Sequence, residues 1–134
     1  MNMEEHINYW LESADHDLET AETLFASGKY DWCLFIAHLV LEKGLKAVYV
    51  RDNDNLLPPR IHNLVKLAEN TTLVLSDEQK TLFNDVNSFN LEVRYPDVRQ
   101  EFYRKCTKDF ADGYFTKIRK QYQWIKSQLK SAGS

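Results

Sequence analysis

An all-α fold, an up-and-down bundle of four or five helices, is what this sequence predicts, and three observations carry the prediction. Apolar residues recur at steps of three and four along most of the chain. No segment sustains the two-residue alternation of a half-buried strand. The interruptions fall where helices end: at Gly28, at the pair Pro58 and Pro59, and at Pro96. With 134 residues, no internal repeat and no Pro/Gly/Ser-rich linker, residues 1–134 make one domain, long enough to sustain a core without staples.

The first helix sets Ile7, Leu11, Ala14, Leu18, Ala21 and Phe25 on one face, with acids between them, and ends at Gly28. The second, from about Asp31 to Val50, carries Leu34, Ala37, Leu41, Leu45 and Val48 on the same rhythm. Trp32, Phe35 and Ile36 broaden its stripe, so it belongs at the centre of the bundle. The stretch RDNDNLLPPR then supplies turn formers and two prolines, and a short helix in HNLVKLAEN follows with His62 at its start, where an imidazole caps the helix or meets a ligand. Ser76 followed by Gln79 has the pattern of a capping box and opens a fourth helix through Leu82, Phe83, Val86 and Phe89. Pro96 disfavours the helical conformation at Tyr95, so that helix stops before it. The last helix starts near Thr107, places Phe110, Tyr114, Ile118, Tyr122 or Gln121, Ile125 and Leu129 on one face, and frays in KSAGS. Three long helices, two shorter ones and one turn-rich crossover result.

Cys33 and Cys106 lie far apart with no Cys-x-x-Cys or Cys/His spacing, so both read as small buried hydrophobes in a reducing cytoplasm; no metal or cofactor is expected. The N-terminus is acidic and lacks the basic and apolar blocks of a signal peptide. The apolar run CLFIAHLVL falls short of the roughly 20 residues of a membrane span, so a soluble protein is expected. Net charge is −3 but unevenly spread: residues 1–28 hold seven acids and no Lys or Arg, whereas residues 99–130 hold nine bases against three acids. Such asymmetry serves a basic binding face, or lets an acidic helix lie beside a basic one, and solvated helix faces are the commoner case.

The standard enzyme templates are missing. The four glycines form no phosphate loop, there is no His-Glu-x-x-His or Asp-x-Asp-x-Asp-Gly run, and no serine sits in a nucleophile elbow. What the chain does offer is His38, Glu42 and Lys46 at i, i+4, i+8, with Lys43 beside them. Such a line is most simply a surface ion-pair ladder, or else a set of groups emerging beside a cleft to orient a phosphate. Arg94 and Arg99 flank a Tyr-Pro-Asp turn, and arginine's planar fork matches phosphate oxygens.

Four pieces together resemble a known family. They are A-x-x-D-L-x-x-A-x-x-L (Ala14, Asp17, Leu18, Ala21, Leu24), L-x-L-E-K-G-L-K-A (Leu39 to Ala47), I-H-N-L-x-x-L (Ile61 to Leu67) and R-Y-P-D (Arg94 to Asp97). Their order and spacing, over about residues 7 to 127, are similar to the HEPN domain, named for higher eukaryote and prokaryote nucleotide-binding. The resemblance implies a helical bundle that commonly forms a homodimer. Prokaryotic members often accompany a minimal nucleotidyltransferase in a toxin–antitoxin-like module. Other members are metal-independent ribonucleases marked by an Arg followed, after four to six residues, by His. That mark is missing: Arg99, Gln100 and Glu101 stand at those places after Arg94, Arg104, Lys105 and Cys106 after Arg99, and all four histidines precede position 63.

The expected function is therefore binding of nucleotide or RNA phosphate as the partner of a minimal nucleotidyltransferase. Arg94 and Arg99 would contact phosphate, Tyr95 would stack on a base or donate its hydroxyl, and Lys43, Lys46 and His62 would complete the rim. One alternative is a metal-independent endoribonuclease toxin with a degenerate site, in which Arg94 holds the scissile phosphate and His62 moves a proton. Another is a structural homodimer with no ligand, its bend anchored by buried Arg94 ion pairs. Dimerisation is suggested by three Trp, seven Tyr and seven Phe, with Trp10, Trp32, Phe102 and Trp124 as candidates for an interface patch.

Overall fold

The apolar period of the sequence resolves into six helices. A computed structural model describes residues 1–132, apart from the side chains of Pro96, Ser131 and Ala132. The helices are α1 (Met3–Ala26), α2 (Tyr30–Asp52), α3 (Leu64–Glu69), α4 (Asp77–Arg94), α5 (Pro96–Lys105) and α6 (Lys108–Ala132), with no strand among the described residues.

Local chemistry explains the boundaries. Asn2 accepts from the Glu5 amide at 2.8 Å while Glu5 reaches back to the Asn2 amide, a capping box that starts α1. Gly28, at φ +79°, ends it: the Lys29 amide bonds the Leu24 carbonyl and the Gly28 amide bonds that of Phe25, the two bonds of a Schellman motif. The Ser76/Gln79 box opens α4 as its spacing predicts. Thr107 opens α6 by accepting from the Phe110 amide. Of KSAGS, where fraying is expected, residues 130–132 continue α6, and Gly133 and Ser134 lie outside the described residues.

Helix α2 touches each of the other five helices, which is why its apolar stripe is so wide. Leu34, Ala37, Leu41, Leu45 and Val48 are all fully buried in it. Gly44 lets α6 approach: a Cβ there would meet the Tyr122 ring at 3.3 Å, and Tyr122 is itself tied by its hydroxyl to Asp15 on α1. The crossover after α2 is pinned at two places. Buried His6 bonds Asn55, which adopts φ +66°, and Asp52 accepts from Arg51 and from both the amide and hydroxyl of Thr72. Burial alone would raise the Asp52 carboxyl; the hydrogen bonds from Arg51 and Thr72 outweigh it and hold the group below its ordinary value.

Two expectations are corrected. The stretch after Pro96 is not simply a break, since Pro96 both stops α4 and stands first in α5. Proline is favoured at that position because its fixed φ suits a helix and its missing N–H is not needed there. Among the described side chains of α5 only Phe102 is buried, stacking on Phe89 at 5.4 Å, so the helix carries too little apolar signal to be seen as one. His62 does not cap α3. Asn63 does, accepting from the Lys66 amide at 3.1 Å, and this leaves the His62 side chain free to turn elsewhere.

Candidate functional site

The line His38, Glu42, Lys46 lies inside the bundle instead of forming a surface ladder: all three residues are buried. His38 faces α3's leading edge and α4. Its Nε2–H donates to the His62 carbonyl at 2.9 Å, so its Nδ1 is left to accept from the Asn90 amide nitrogen at 3.3 Å. Burial drives the His38 pKa below its ordinary value, against the pull of Glu42 and of its bond to the His62 carbonyl, and the nearby Arg94 lowers it further. The ring is thus neutral, and its tautomer is set by the carbonyl, which can only accept.

One turn along α2, Glu42 uses both oxygens. Oε1 accepts from His62 Nδ1 at 2.8 Å and Oε2 from Lys46 Nζ at 3.2 Å. The Lys46 ammonium also lies 5.3 Å from the centre of the Trp10 ring, a cation–π contact that helps a buried charge. The imidazole of His62 is half exposed, at 51%, whereas Glu42 behind it is at 6%. Glu42 therefore fixes the ring through Nδ1, and Nε2 is left without a partner among the described residues. Such an arrangement can hold an anion or exchange a proton at Nε2.

The other sequence candidates separate into three places. Lys43 turns to α1, with its ammonium 2.6 Å from Asp17 and 2.8 Å from Ser13, so it stitches α1 to α2 instead of joining the His62 rim. Arg94 is exposed at the last turn of α4, close enough to His38 to affect its titration, with no ion pair or hydrogen bond among the described residues. The buried ion pairs expected to anchor the bend at Arg94 are not there. Tyr95, in extended backbone between α4 and α5, is 55% exposed. Arg99 lies one turn into α5 with its guanidinium 4.6 Å from the Trp32 ring centre, so the two arginines of the turn serve different neighbourhoods.

Asn90 was missed by the sequence reading. Its signal was available: a polar residue on the α4 face that also carries Phe83, Val86 and Val93 marks a buried hydrogen-bonding position. Of the aromatic candidates for an interface, only Phe102 is withdrawn by burial, whereas Trp10, Trp32 and Trp124 are partly exposed. Phe102 is buried, and Trp32 and Trp124 pack against the core; the exposed apolar groups at this end are Leu91, Tyr95, Val98 and Tyr103. No group of three or more His, Cys, Asp or Glu side chains is placed to hold a metal among the described residues, and no described helix is long and apolar enough to cross a membrane.

Comparison with known proteins bears on the fold. TT1696 from Thermus thermophilus superposes with a TM-score of 0.78 at 20% identity, covering 95% of this chain and 98% of that one. ST0689, an archaeal HEPN homologue, gives 0.71 at 22% identity, covering 92% and 97%. No curated protein matches. The HEPN domain model matches residues 7–128, nearly the whole helical bundle, and the chain belongs to the HEPN domain family.

Proposed function

We propose that this protein binds the phosphate of a nucleotide or RNA at the corner formed by Arg94, Tyr95 and His62, with Lys46 adding positive potential from behind. The observation that carries the reading is the contrast at His62: a half-exposed imidazole held by a buried carboxylate, with an exposed arginine, Arg94, close enough to act on the same His38 and without an ion pair or hydrogen bond among the described residues. Arginine supplies the planar fork for phosphate, the imidazole a second donor, and Tyr95 a face for a base. The family context supports a role as the partner of a minimal nucleotidyltransferase in a toxin–antitoxin-like module. Leu91 and Val98, exposed beside the corner, support a homodimer through this end of the bundle. Titration with labelled mononucleotides tests the binding reading: wild-type protein gives a salt-sensitive isotherm that His62→Ala weakens, and a flat wild-type titration removes it.

A second reading, metal-independent cleavage of RNA, is favoured by one specific contact. The Glu42–His62 bond leaves Nε2 positioned to take the proton of a ribose 2′-hydroxyl while Arg94 steadies the phosphate. Labelled RNA incubated with purified protein in EDTA decides it. Cleavage abolished by both Arg94→Ala and His62→Ala supports an enzyme, and intact RNA under all conditions leaves binding alone.

A further inference from the structure

A groove of about 570 Å³ runs between the first turn of α2 and α5, lined by Lys29, Asp31, Trp32, Arg99, Tyr103 and Arg104. Its volume lies within the range of small-ligand sites, roughly 300–1,000 Å³. Three cations stand in it, and Arg99 is pinned against Trp32. Tyr103 is 65% exposed, an aromatic face that covers no core. The unusual member is Asp31. It is only 4% exposed, yet its carboxylate has no hydrogen-bond or ion-pair partner among the described residues, and the start of α2 has no side-chain cap.

Neither Asp31 oxygen is sealed from its surroundings, so the carboxylate opens on the groove, where donors of a ligand can reach it. We infer that this groove takes one base of a single-stranded RNA, guanine by preference, with Tyr103 stacking on the base and Arg99, Arg104 and Lys29 meeting the adjoining phosphates. Guanine alone presents two adjacent donors, N1–H and the 2-amino group, to the two oxygens of a carboxylate. Uracil offers one N–H between two carbonyls, and adenine and cytosine each set one amino group beside an acceptor nitrogen. An acidic peptide fits the cations but brings a carboxylate towards Asp31. The Arg99 amide bonds the Tyr95 carbonyl, so these two residues stand one helical turn apart, and the proposal has one strand run from the corner into the groove. The inference rests on the phosphate-binding reading of that corner.

Fluorescence anisotropy with two labelled heptamers, oligouridylate and the same strand with a central guanine, tests it on the full chain, melting curves confirming that each variant folds. The guanine strand binds wild type about tenfold tighter, and Asp31→Asn erases the difference because an amide cannot accept from both donors. Tyr103→Ala, on an exposed residue, weakens both strands about tenfold. Equal affinities of the two strands for wild type, or a preference that survives Asp31→Asn, overturns the proposal. Loss of binding in Arg94→Ala with no response to Asp31→Asn or Tyr103→Ala keeps the corner and removes the groove. The reverse pattern keeps the groove and removes the corner. Binding of polyglutamate in place of either strand assigns the groove to an acidic partner and overturns the RNA reading, and no binding of either strand removes both.

Discussion

The middle of α2 and the elbow between α4 and α5 hold polar groups under opposite conditions. In α2, Glu42 and Lys46 are buried, and each has a charged or hydrogen-bonding partner. At the elbow, Arg94 and Tyr95 are exposed and bear almost nothing of the fold. Burial forces the first set to be satisfied internally, so its members act by holding positions. Exposure leaves the second set available, so its members act on what arrives from outside. His62 stands between the two, its Nδ1 in the first environment and its Nε2 in the second.

The largest effect should come from breaking the buried set. Glu42→Ala removes the carboxylate shared by Lys46 and His62 and leaves an ammonium buried without its countercharge. Loss of one partner of a buried pair costs about 3–5 kcal/mol. Urea unfolding of the variant should show a drop of that size, whereas the double replacement Glu42→Leu with Lys46→Met should recover much of it. A drop below about 1 kcal/mol for Glu42→Ala would mean that water reaches the pair and that the contrast between the regions is weaker than the burial suggests. Next in size is Gly44→Val, which drives methyl groups into the Tyr122 ring, already at 3.3 Å from a Cβ. Tyr122 is held by Asp15 and cannot swing aside, so about 1–3 kcal/mol of overpacking is expected in the same assay.

Mild acid should act on the buried region through His38. The His38 pKa is depressed from 6.5, chiefly by burial, so below pH 6.5 the unfolded chain takes up a proton that the native ring refuses. Stability contributed by the neutral ring is present above pH 6.5 and is lost as pH falls towards the depressed value, at no more than about 1.4 kcal/mol per pH unit. His38→Gln keeps a donor for the His62 carbonyl but does not titrate. Urea midpoints measured at about pH 7.5 and about pH 5.5, on either side of the ordinary histidine value, should therefore differ less in the variant than in the wild type. Equal differences would place the acid-sensitive group elsewhere.

The same contrast explains what was legible in the sequence. Periodicity located α1, α2, α4 and α6 because each buries a continuous stripe, and the Ser76/Gln79 spacing marked a boundary because the cap is made by local residues. Helix α5 escaped because its exposed length leaves no stripe to read, and Pro96 looks the same whether it ends a helix or begins one. Spacing put His38, Glu42 and Lys46 on one line but could not say which way the line faced. That depended on α3 and α4 closing over it, a tertiary fact. The position of Lys43 next to Glu42 gave no sign that its ammonium would meet Asp17 across α1.

The smallest effect on stability, and the most informative on function, is expected from Arg94→Ala. An exposed side chain without an ion pair or hydrogen bond among the described residues should change unfolding free energy by no more than about 0.5 kcal/mol. Phosphate affinity should fall and its salt dependence flatten, because one cation no longer displaces counterions. Arg94→Lys should fall between the two, keeping the charge and losing the fork. One consequence crosses from the elbow into the core. Arg94 is among the charges that hold the His38 pKa down, so removing it lets that pKa rise and narrows the acid-sensitive window. Anion bound at the elbow should do the same by neutralising the guanidinium, so phosphate should protect the wild type against acid slightly more than it protects Arg94→Ala. If phosphate protects both equally, the bound anion does not sit on Arg94.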